Sequence, residues 1–310
     1  MTKKTVGRLA PSPSGRMHPG NIMAFLVAWL SARSQNGEVV LRIEDLDHVR
    51  CTEYWAEILK SDLMWLGITW DREAQPQRYR SDVYEKILDN LRQRELVFPC
   101  WCTRGVLNAA SAPHASDGHW IYPGICRNLS DTEKAQKKTP PSWRLIVPNE
   151  EISFCDRVFG FRCENLAAEC GDFVLKKADG SFAYQLAVVA DDIEGGITEV
   201  VRGCDLLGSV PRQIYLTRLL GGEEFEYMHV PMLLGPGGRK LSKRDLDLDM
   251  GVLRERICPE RMLGELAFRI GLIDRSEDIS ACELVSVFDP EKLSKTDVEL
   301  GSDFCGCLLI

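Results

Sequence analysis

The chain has 310 residues, 45% of them hydrophobic and 27% charged, with a formal net charge of −8. This length corresponds to about two domains, or to one α/β domain with insertions, and the apolar content suffices for an ordinary globular core. The sequence contains no apolar run of about 18 residues, which excludes a membrane-spanning helix. The acidic balance only weakly disfavours nucleic acid as a partner, because a local basic surface can still bind phosphates.

The amino-terminal segment, MTKKTVGRL, lacks the apolar region of a signal peptide. We therefore expect a cytoplasmic protein. In such a compartment the 12 cysteines are expected to be reduced thiols, with a metal site among them as an option.

Strands and helices are predicted to alternate over the first hundred residues. TVGRLAPS predicts a short strand, and NIMAFLVAWLSARSQNG predicts a helix that stops at Gly37. VVLRIEDLD predicts a strand with acidic residues at its end. A second helix is predicted from an N-cap at Thr52 to Gly67, and SDVYEKILDNLRQREL predicts a third. This alternation indicates a parallel sheet of the nucleotide-binding kind.

The alternation breaks at Phe98. From Cys100 to about Cys170 the sequence is irregular and contains Pro, Gly, Ser and Cys throughout, which indicates an insertion. The α/β pattern returns with AYQLAVVADDIEGGITEVVRGCDLL, and the chain after Asp249 is predicted to be helical.

The segment RLAPSPSGRMHPGN predicts a turn between a strand and a helix. Helix N-termini attract anions, and a His followed by Gly at such a point can hydrogen-bond phosphate or ribose. It is neither a P-loop nor a dinucleotide fingerprint, since GxxxxGK and GxGxxG are both missing. The alternative interpretation is a polar turn that caps a buried helix.

A second motif, GRKLSKRD, is basic and follows the glycine-rich LLGPGG. Its cations are Arg239, Lys240, Lys243 and Arg244. A glycine-hinged loop of this kind can close over a polyphosphate and neutralise the charge that develops as a P–O bond breaks. The alternative is a solvated basic loop, which is the usual role of a charge run.

Together the two motifs resemble the two signatures of class I aminoacyl-tRNA synthetases. RIEDLD, YPGIC, DGSFAYQLAVVADD, GIT and VVRGCDLLGSVPRQ resemble the glutamyl type, and within it the glutamyl-Q tRNA(Asp) synthetases, which are short paralogues of glutamyl-tRNA synthetase. The resemblance covers roughly residues 5 to 300. A full glutamyl-tRNA synthetase continues into a helical anticodon-binding region, whereas this sequence stops about 65 residues after the lysine-rich loop.

The resemblance implies an α/β fold with the Rossmann-type parallel sheet of class I synthetases, split by a zinc-containing insertion and followed by a small helical C-terminal domain. The predicted divisions are a first catalytic half over 1–98, the insertion over 99–170, a second half with the lysine loop over 171–246, and the helical remnant over 247–310.

The resemblance also implies an activity and its partners. L-Glutamate and ATP, with Mg²⁺, give glutamyl-adenylate, and glutamate then passes to queuosine at the wobble position in the anticodon loop of tRNA(Asp). We expect a monomer without a membrane partner. Two alternatives stay open: a truncated glutamyl-tRNA synthetase that charges a tRNA 3′ end, and a non-catalytic zinc-containing RNA-binding module.

Site residues follow by resemblance. Glutamate needs cations for two carboxylates, for which arginine is best suited, and an acid for its ammonium group. The alternative interpretation is that the arginines form surface ion pairs and that the tyrosine is a core aromatic residue. Which arginine takes which carboxylate stays open. The predicted catalytic residues are His18, Lys240 and Lys243. The predicted ATP-binding residues are His18, Gly20, Asn21 and Lys243, and Asn21 stands where the family often has a second His. The predicted glutamate-binding residues are Arg8, Ala10, Ser12, Glu44, Tyr184 and Arg202.

Three cysteines, Cys100, Cys102 and Cys126, have a spacing that suits one structural Zn²⁺ and leaves one ligand position open. His114 and His119 are chemically conventional candidates for that position. The family pattern of Cys-x-Cys followed by Tyr-x-x-x-Cys instead implies Tyr122. The alternative interpretation is three free thiols in a loop.

Overall fold

The amino-terminal part of the chain forms a three-stranded parallel sheet with the order β1–β2–β3. The strands are β1 (Val6–Leu9), β2 (Glu38–Leu41) and β3 (Arg72–Glu73), and the helices of this part are α1 (Pro19–Ser34), α2 (Glu53–Trp65) and α3 (Ser81–Gln93). The alternation predicted from the sequence is confirmed. The computed structural model describes residues 4–103, 105–106, 121–235, 237–241 and 249–300.

Both predicted ends of helix α2 agree with the local geometry. The side-chain hydroxyl of Thr52 accepts a hydrogen bond from the Trp55 N–H at 3.3 Å, as expected of an N-cap. Gly67 has a φ of +75°, the left-handed conformation that ends many helices at glycine. Helix α1 ends earlier than predicted, and the N–H of Gly37 closes the turn onto the Ala32 carbonyl at 2.8 Å.

The middle of the chain contains a separate antiparallel sheet with the order β4–β5–β8. Its elements in chain order are β4 (Val97–Cys100), α4 (Asp131–Ala135), β5 (Ser142–Leu145), β6 (Glu151–Asp156), β7 (Gly160–Asn165), α5 (Leu166–Glu169) and β8 (Phe173–Lys176). Strands β6 and β7 do not join this sheet. They form an antiparallel hairpin that belongs to the next one.

The second parallel sheet has the order β7–β6–β10–β9, and only its β6–β7 hairpin is antiparallel. The elements that complete it are α6 (Tyr184–Glu194), β9 (Glu199–Gly203), α7 (Val210–Leu219) and β10 (Glu226–Val230). β6 pairs with β10 at Tyr227 and Asp156, so one hairpin of the predicted insertion lies against the catalytic sheet. The division at residues 98, 170 and 246 stays a prediction.

The two parallel sheets meet at β1 and β9. The Thr198 N–H donates to the Val6 carbonyl at 2.9 Å, and the Val6 N–H donates to the Thr198 hydroxyl at the same distance. From this junction, one sheet runs outward through β2 and the other through β10. The change of direction is a topological switch point, where ligands of open α/β sheets bind beyond the carboxyl ends of the strands.

The described chain after β10 contains three α-helices, all of them after Asp249, and three short strands. Its elements are β11 (Leu233–Gly235), β12 (Arg239–Lys240), α8 (Met250–Arg256), α9 (Pro259–Arg269), α10 (Ala281–Val287) and β13 (Val298–Glu299). These helices share a hydrophobic core with α1 and α2, while α3, α6 and α7 pack into a second core. Among the described helices, none is long and apolar enough to cross a membrane.

Candidate active site

A cavity of about 480 Å³ lies beyond the carboxyl ends of β1 and β9, at the switch point. It is lined by every predicted glutamate-binding, ATP-binding and catalytic residue that the structure describes. These residues are Arg8, Ala10, Ser12, His18, Gly20, Asn21, Glu44, Tyr184, Arg202 and Lys240. The remaining predicted residue, Lys243, lies outside the described residues.

The first turn of α1 forms one wall of the cavity. Pro19 occupies the first helical position, and the His18 N–H donates to the side-chain oxygen of Asn21 at 3.2 Å. A Cβ at Gly20 would lie 3.1 Å from Nδ1 and Cε1 of His18, so glycine allows the imidazole to lie over the turn. Asn21, which departs from the family pattern, thus fixes the turn that carries His18.

Arg8 stands at the end of β1 and is 4% exposed. Its Nη1 donates to the Val201 carbonyl on β9 at 3.0 Å, which ties the guanidinium across the junction of the two sheets. Its Nε lies 3.5 Å from the Oδ1 of Asp192. The arginine is therefore held by buried partners on β9 and on α6, and it lines the cavity from below.

Behind the cavity, Arg42 joins the pocket residues into one buried network. Its Nη2 donates to Glu44 Oε1 at 2.9 Å and its Nη1 to Asp192 Oδ1 at 2.5 Å, while its Nε lies 3.9 Å from Asp191 Oδ2. Burial disfavours its charge, but Asp192, Glu44 and Asp191 more than offset this effect and raise the pKa of Arg42. Because Asp192 contacts both Arg42 and Arg8, the network links Glu44 to Arg8.

Glu44 is 9% exposed and reaches the cavity from the chain just after β2. Burial raises the pKa of its carboxyl group, and the contact with Arg42 offsets only part of that rise. Asp191, the neighbour of Asp192 on α6, has its own partners away from the cavity. Its carboxylate accepts hydrogen bonds from Arg80 Nε at 2.6 Å and from the Tyr84 hydroxyl at 2.9 Å.

Arg202 faces Arg8 from the end of β9. Its Nη1 donates to the Tyr184 hydroxyl at 3.4 Å and its Nη2 to the Leu206 carbonyl at 3.3 Å. Both contacts are long for hydrogen bonds of a guanidinium, which leaves room for a stronger acceptor. Burial raises the pKa of Tyr184, so its hydroxyl keeps its proton at neutral pH.

Lys240 lies at the rim of the cavity, where its Nζ is 2.8 Å from Asp205 Oδ2. After 242–248, the next described residues contact the chain beside the first turn of α1. There the side chain of Asp249 caps α8, and the Met250 N–H donates to the Met17 carbonyl at 3.0 Å. The described residues on either side of 242–248 therefore contact residues at or next to the cavity, Lys240 at Asp205 and Met250 at Met17, the neighbour of His18.

The three predicted metal-binding cysteines also come together. The sulfur atoms of Cys100, Cys102 and Cys126 all lie within 4.8 Å of one another. The Tyr122 hydroxyl is 3.5 Å from Cys100 Sγ and 3.9 Å from Cys102 Sγ. Burial opposes ionisation of Cys100, but hydrogen bonds from Tyr122, from the Cys102 backbone and from Arg144 lower its pKa. His114 and His119, the other predicted candidates, lie outside the described residues.

Comparison with known proteins agrees with this fold and site. The family described as tRNA synthetases class I (E and Q), catalytic domain, matches residues 4–299. The solved structure of a glutamate tRNA ligase from Elizabethkingia meningosepticum, in complex with its amino acid, superposes with a TM-score of 0.82. It is 26% identical, and the match covers 99% of this chain and 69% of that one. The fold is the α/β fold of a class I tRNA synthetase.

Two curated relatives narrow the assignment. A protein of Symbiobacterium thermophilum named glutamyl-Q tRNA(Asp) synthetase is 40% identical over 97% of this chain and 98% of its own length. A protein of the same name from Nitratidesulfovibrio vulgaris is 44% identical over 86% of each chain. The chain belongs to the glutamyl-Q tRNA(Asp) synthetase family of class I synthetases.

Several residues that hold the site were not singled out from the sequence. Arg42 lies within RIEDLD, and Asp191 and Asp192 are the two acids of AVVADD, but the match of these segments to the family assigns them no role. A signal was available, because charged residues next to or inside apolar segments are unusual in the interior and are buried only when paired. The histidine within the apolar strand YMHV carries the same signal. The residues missed are Arg42, Asp156, Asp191, Asp192 and His229.

We predict that Arg42→Met destabilises the protein by about 3–5 kcal/mol, because it leaves the buried carboxylates of Glu44, Asp191 and Asp192 without their shared cation. The measurement is the free energy of unfolding from urea titration at neutral pH. The matched control is Arg275→Met, since Arg275 is 81% exposed and pairs with Glu277 at the surface, where we expect a change of about 0–1 kcal/mol. Equal effects of the two variants would contradict the role of the buried network.

Proposed function

We propose that this chain activates L-glutamate with ATP and transfers the glutamyl group to queuosine in the anticodon loop of tRNA(Asp). The names of its curated relatives support this acceptor. The observation that carries the proposal is the cavity itself, which combines two buried arginines with one buried carboxylate. Arg8 and Arg202 supply cations for the two carboxylates of glutamate, and Glu44 accepts its ammonium group.

The ATP side of the site is proposed at the first turn of α1 and at the lysine-rich segment. His18 and the helix N-terminus bind phosphate oxygens, with Gly20 and Asn21 shaping the turn. Lys243, with Lys240 beside it, neutralises the triphosphate, to which Mg²⁺ is bound as part of the substrate. The α-carboxylate of glutamate attacks the α-phosphorus, a new acyl–phosphate bond forms, and pyrophosphate leaves.

The acceptor is proposed to enter through a second cavity of about 660 Å³ that adjoins the first. The two cavities share Ser12, Ser14, Glu44 and Tyr184. His48, Arg50 and Lys177 also line the second cavity and provide polar and cationic groups for a nucleoside and its phosphates. A hydroxyl group of the acceptor then attacks the acyl carbon, and AMP leaves.

One structural Zn²⁺ is proposed at Cys100, Cys102, Tyr122 and Cys126. The donor set fits zinc, because three thiolates and one oxygen suit its tetrahedral preference and the four atoms already converge. Such an ion would connect β4 to the segment around Cys126 and would stabilise the β4–β5–β8 sheet region. The chemistry of glutamate activation takes place in the other cavity and does not pass through this ion.

The proposal also covers the division of the chain, its oligomeric state and its location. We propose the four-part division described above, a helical C-terminal region that supports the lysine-rich segment, and a monomer acting in the cytoplasm. The hydrogen bond from the Met250 N–H to the Met17 carbonyl supports this role of the C-terminal region, because it connects α8 to the turn before α1.

The acceptor is tested with labelled glutamate and two forms of tRNA(Asp), both ending in 3′-deoxyadenosine and 2′-O-methylated there to block the terminal ribose. We expect labelling of the form that contains queuosine and none of the form that lacks it. A second candidate is supported by the similarity to the glutamate tRNA ligase structure, namely charging of a 3′ end. A third form, with an intact terminal ribose, tests this candidate. Labelling of the third form and of neither blocked form would replace the proposal with that candidate.

We predict that Lys243→Ala lowers glutamate-dependent ATP–pyrophosphate exchange on the order of 100-fold, because one charged contact to the transition state is lost. Glutamate binding should change little, since the amino acid contacts the other end of the cavity. Lys137→Ala, at an exposed position after α4, is the matched control. Exchange by Lys243→Ala within a few-fold of the control would contradict the role of this lysine.

We predict about one zinc per chain in protein purified without chelator, measured by elemental analysis. Cys100→Ser should lose the metal, because Cys100 is one of the three converging thiols. Cys155→Ser is the control, since Cys155 is exposed on β6 and free. Metal-free wild-type protein, or equal zinc content in both variants, would count against the site.

A further inference from the structure

A buried chain of three side chains runs from the cavity wall, at Arg202, into the protein behind it. His229, on β10, is 0% exposed and stands between Asp156 on β6 and Arg202 on β9. Its Nδ1 lies 2.7 Å from Asp156 Oδ2, and Arg202 Nε donates to its Nε2 at 3.1 Å. His229 does not line the cavity, whereas Arg202 does.

The hydrogen bonds determine which nitrogen of His229 carries the proton. A guanidinium can only donate, so Nε2 must be the bare, accepting nitrogen, and Nδ1 must donate to Asp156. Burial lowers the pKa of His229, and the nearby Arg202 and Arg8 lower it further, while Asp156 opposes them. The neutral imidazole with its proton on Nδ1 is therefore the stable form at neutral pH.

Asp156 is itself fixed by the backbone. Its Oδ1 accepts hydrogen bonds from the N–H groups of Val158 at 3.0 Å and Phe159 at 2.9 Å. Burial raises the pKa of this carboxyl group, but the bonds from His229 and from the backbone more than offset that effect and lower the pKa. A charged, immobile Asp156 thus keeps His229 in one orientation and one tautomer.

The contact with His229 also determines which part of Arg202 can meet a ligand. The Nε of Arg202 is occupied by His229, and Nη1 and Nη2 contact Tyr184 and Leu206, which both line the cavity. The edge formed by Nη1 and Nη2 is therefore the one presented to the cavity. Its present contacts, at 3.3 and 3.4 Å, are weaker than those a carboxylate would make.

We propose that His229, fixed by Asp156, is a positioning residue that holds Arg202 with its Nη1–Nη2 edge toward a substrate carboxylate. This inference rests on the proposed function for the identity of that substrate, L-glutamate. Protonation of His229 would remove the acceptor and add a positive charge beside the guanidinium. The arrangement thus makes the affinity for glutamate depend on the protonation of a residue that never touches it.

The charged groups around His229 give the sign of this dependence. Asp156 faces it from β6, Arg202 from β9 and Arg8 from β1, and the ring of Tyr227 stacks on it from the same strand. Because burial lowers the pKa of His229 below its ordinary value, the neutral form predominates at neutral pH and is lost only in more acidic solution. We therefore expect the KM for glutamate to be constant around neutral pH and to rise on acidification, while the KM for ATP changes less.

Two substitutions separate positioning from packing. His229→Leu removes the acceptor, and we expect the KM for glutamate to rise on the order of 10-fold to 100-fold, as for the loss of a charge-assisted hydrogen bond. The KM for ATP in the exchange assay should stay within about three-fold. His229→Gln retains an oxygen that can accept from Arg202, and we expect it to recover part of the affinity for glutamate and to remove the rise at low pH.

The matched control is Glu199→Gln, because Glu199 is also buried on β9 but pairs with Ser31 and Arg157, away from the cavity. We expect this variant to lower stability without a selective effect on glutamate. Equal changes in the KM values for glutamate and ATP in His229→Leu, or no recovery in His229→Gln, would overturn the inference.

The protonation state of His229 can be measured directly, without any assay of glutamate activation. In wild-type protein with ¹⁵N-labelled histidine, NMR should show His229 as the neutral tautomer protonated at Nδ1 at pH 7, with the signal assigned by its loss in His229→Gln. An imidazolium or an Nε2-protonated ring would overturn the inference even if the enzyme activates glutamate. The expected tautomer in protein without glutamate-dependent exchange would instead overturn only the proposed function.

Discussion

The ion pair between Arg42 and Asp192 is the interaction on which the rest of the site depends. Arg42 follows β2 and Asp192 lies on α6, so the pair connects the first sheet to the helix that packs behind the cavity. Asp192 also contacts Arg8, and Arg42 also contacts Glu44. A cation and an anion of the pocket therefore share one buried network. Its opposite charges offset part of the cost of burying each member, and what remains at Glu44 raises the pKa of that carboxyl group.

Two separate sets of buried contacts hold the charged residues of the cavity in place. One holds Arg8 and Glu44 from the side of α6, and the other holds Arg202 through His229 from the side of β10. The proposed binding of a dicarboxylate requires two guanidinium groups in one cavity before the ligand arrives. Buried carboxylates on one side and a neutral imidazole on the other achieve this without neutralising the edges that the substrate needs.

The sequence was sufficient for the alternating strands and helices, the end of α2 at Gly67 and the convergence of the predicted residues in one cavity. Periodicity and glycine positions are local signals, and the motif residues came from a resemblance that covers nearly the whole chain. The hairpin β6–β7 was not anticipated as part of the catalytic sheet, because pairing with β10 joins positions 156 and 227, which no local pattern connects. The roles of Arg42 and His229 depend in part on distant partners as well, Asp192 for Arg42 and Asp156 for His229, although a charged or polar residue within an apolar segment was a local signal that each is paired.

The most direct test of the account is a crystal structure with a non-hydrolysable sulfamoyl analogue of glutamyl-adenylate. The account predicts that the glutamyl carboxylate contacts the Nη edge of one arginine of the pair Arg8 and Arg202, that the ammonium group lies on Glu44, and that the adenosine lies toward the first turn of α1. A glutamyl group that points away from both arginines, or an analogue bound outside this cavity, would contradict it.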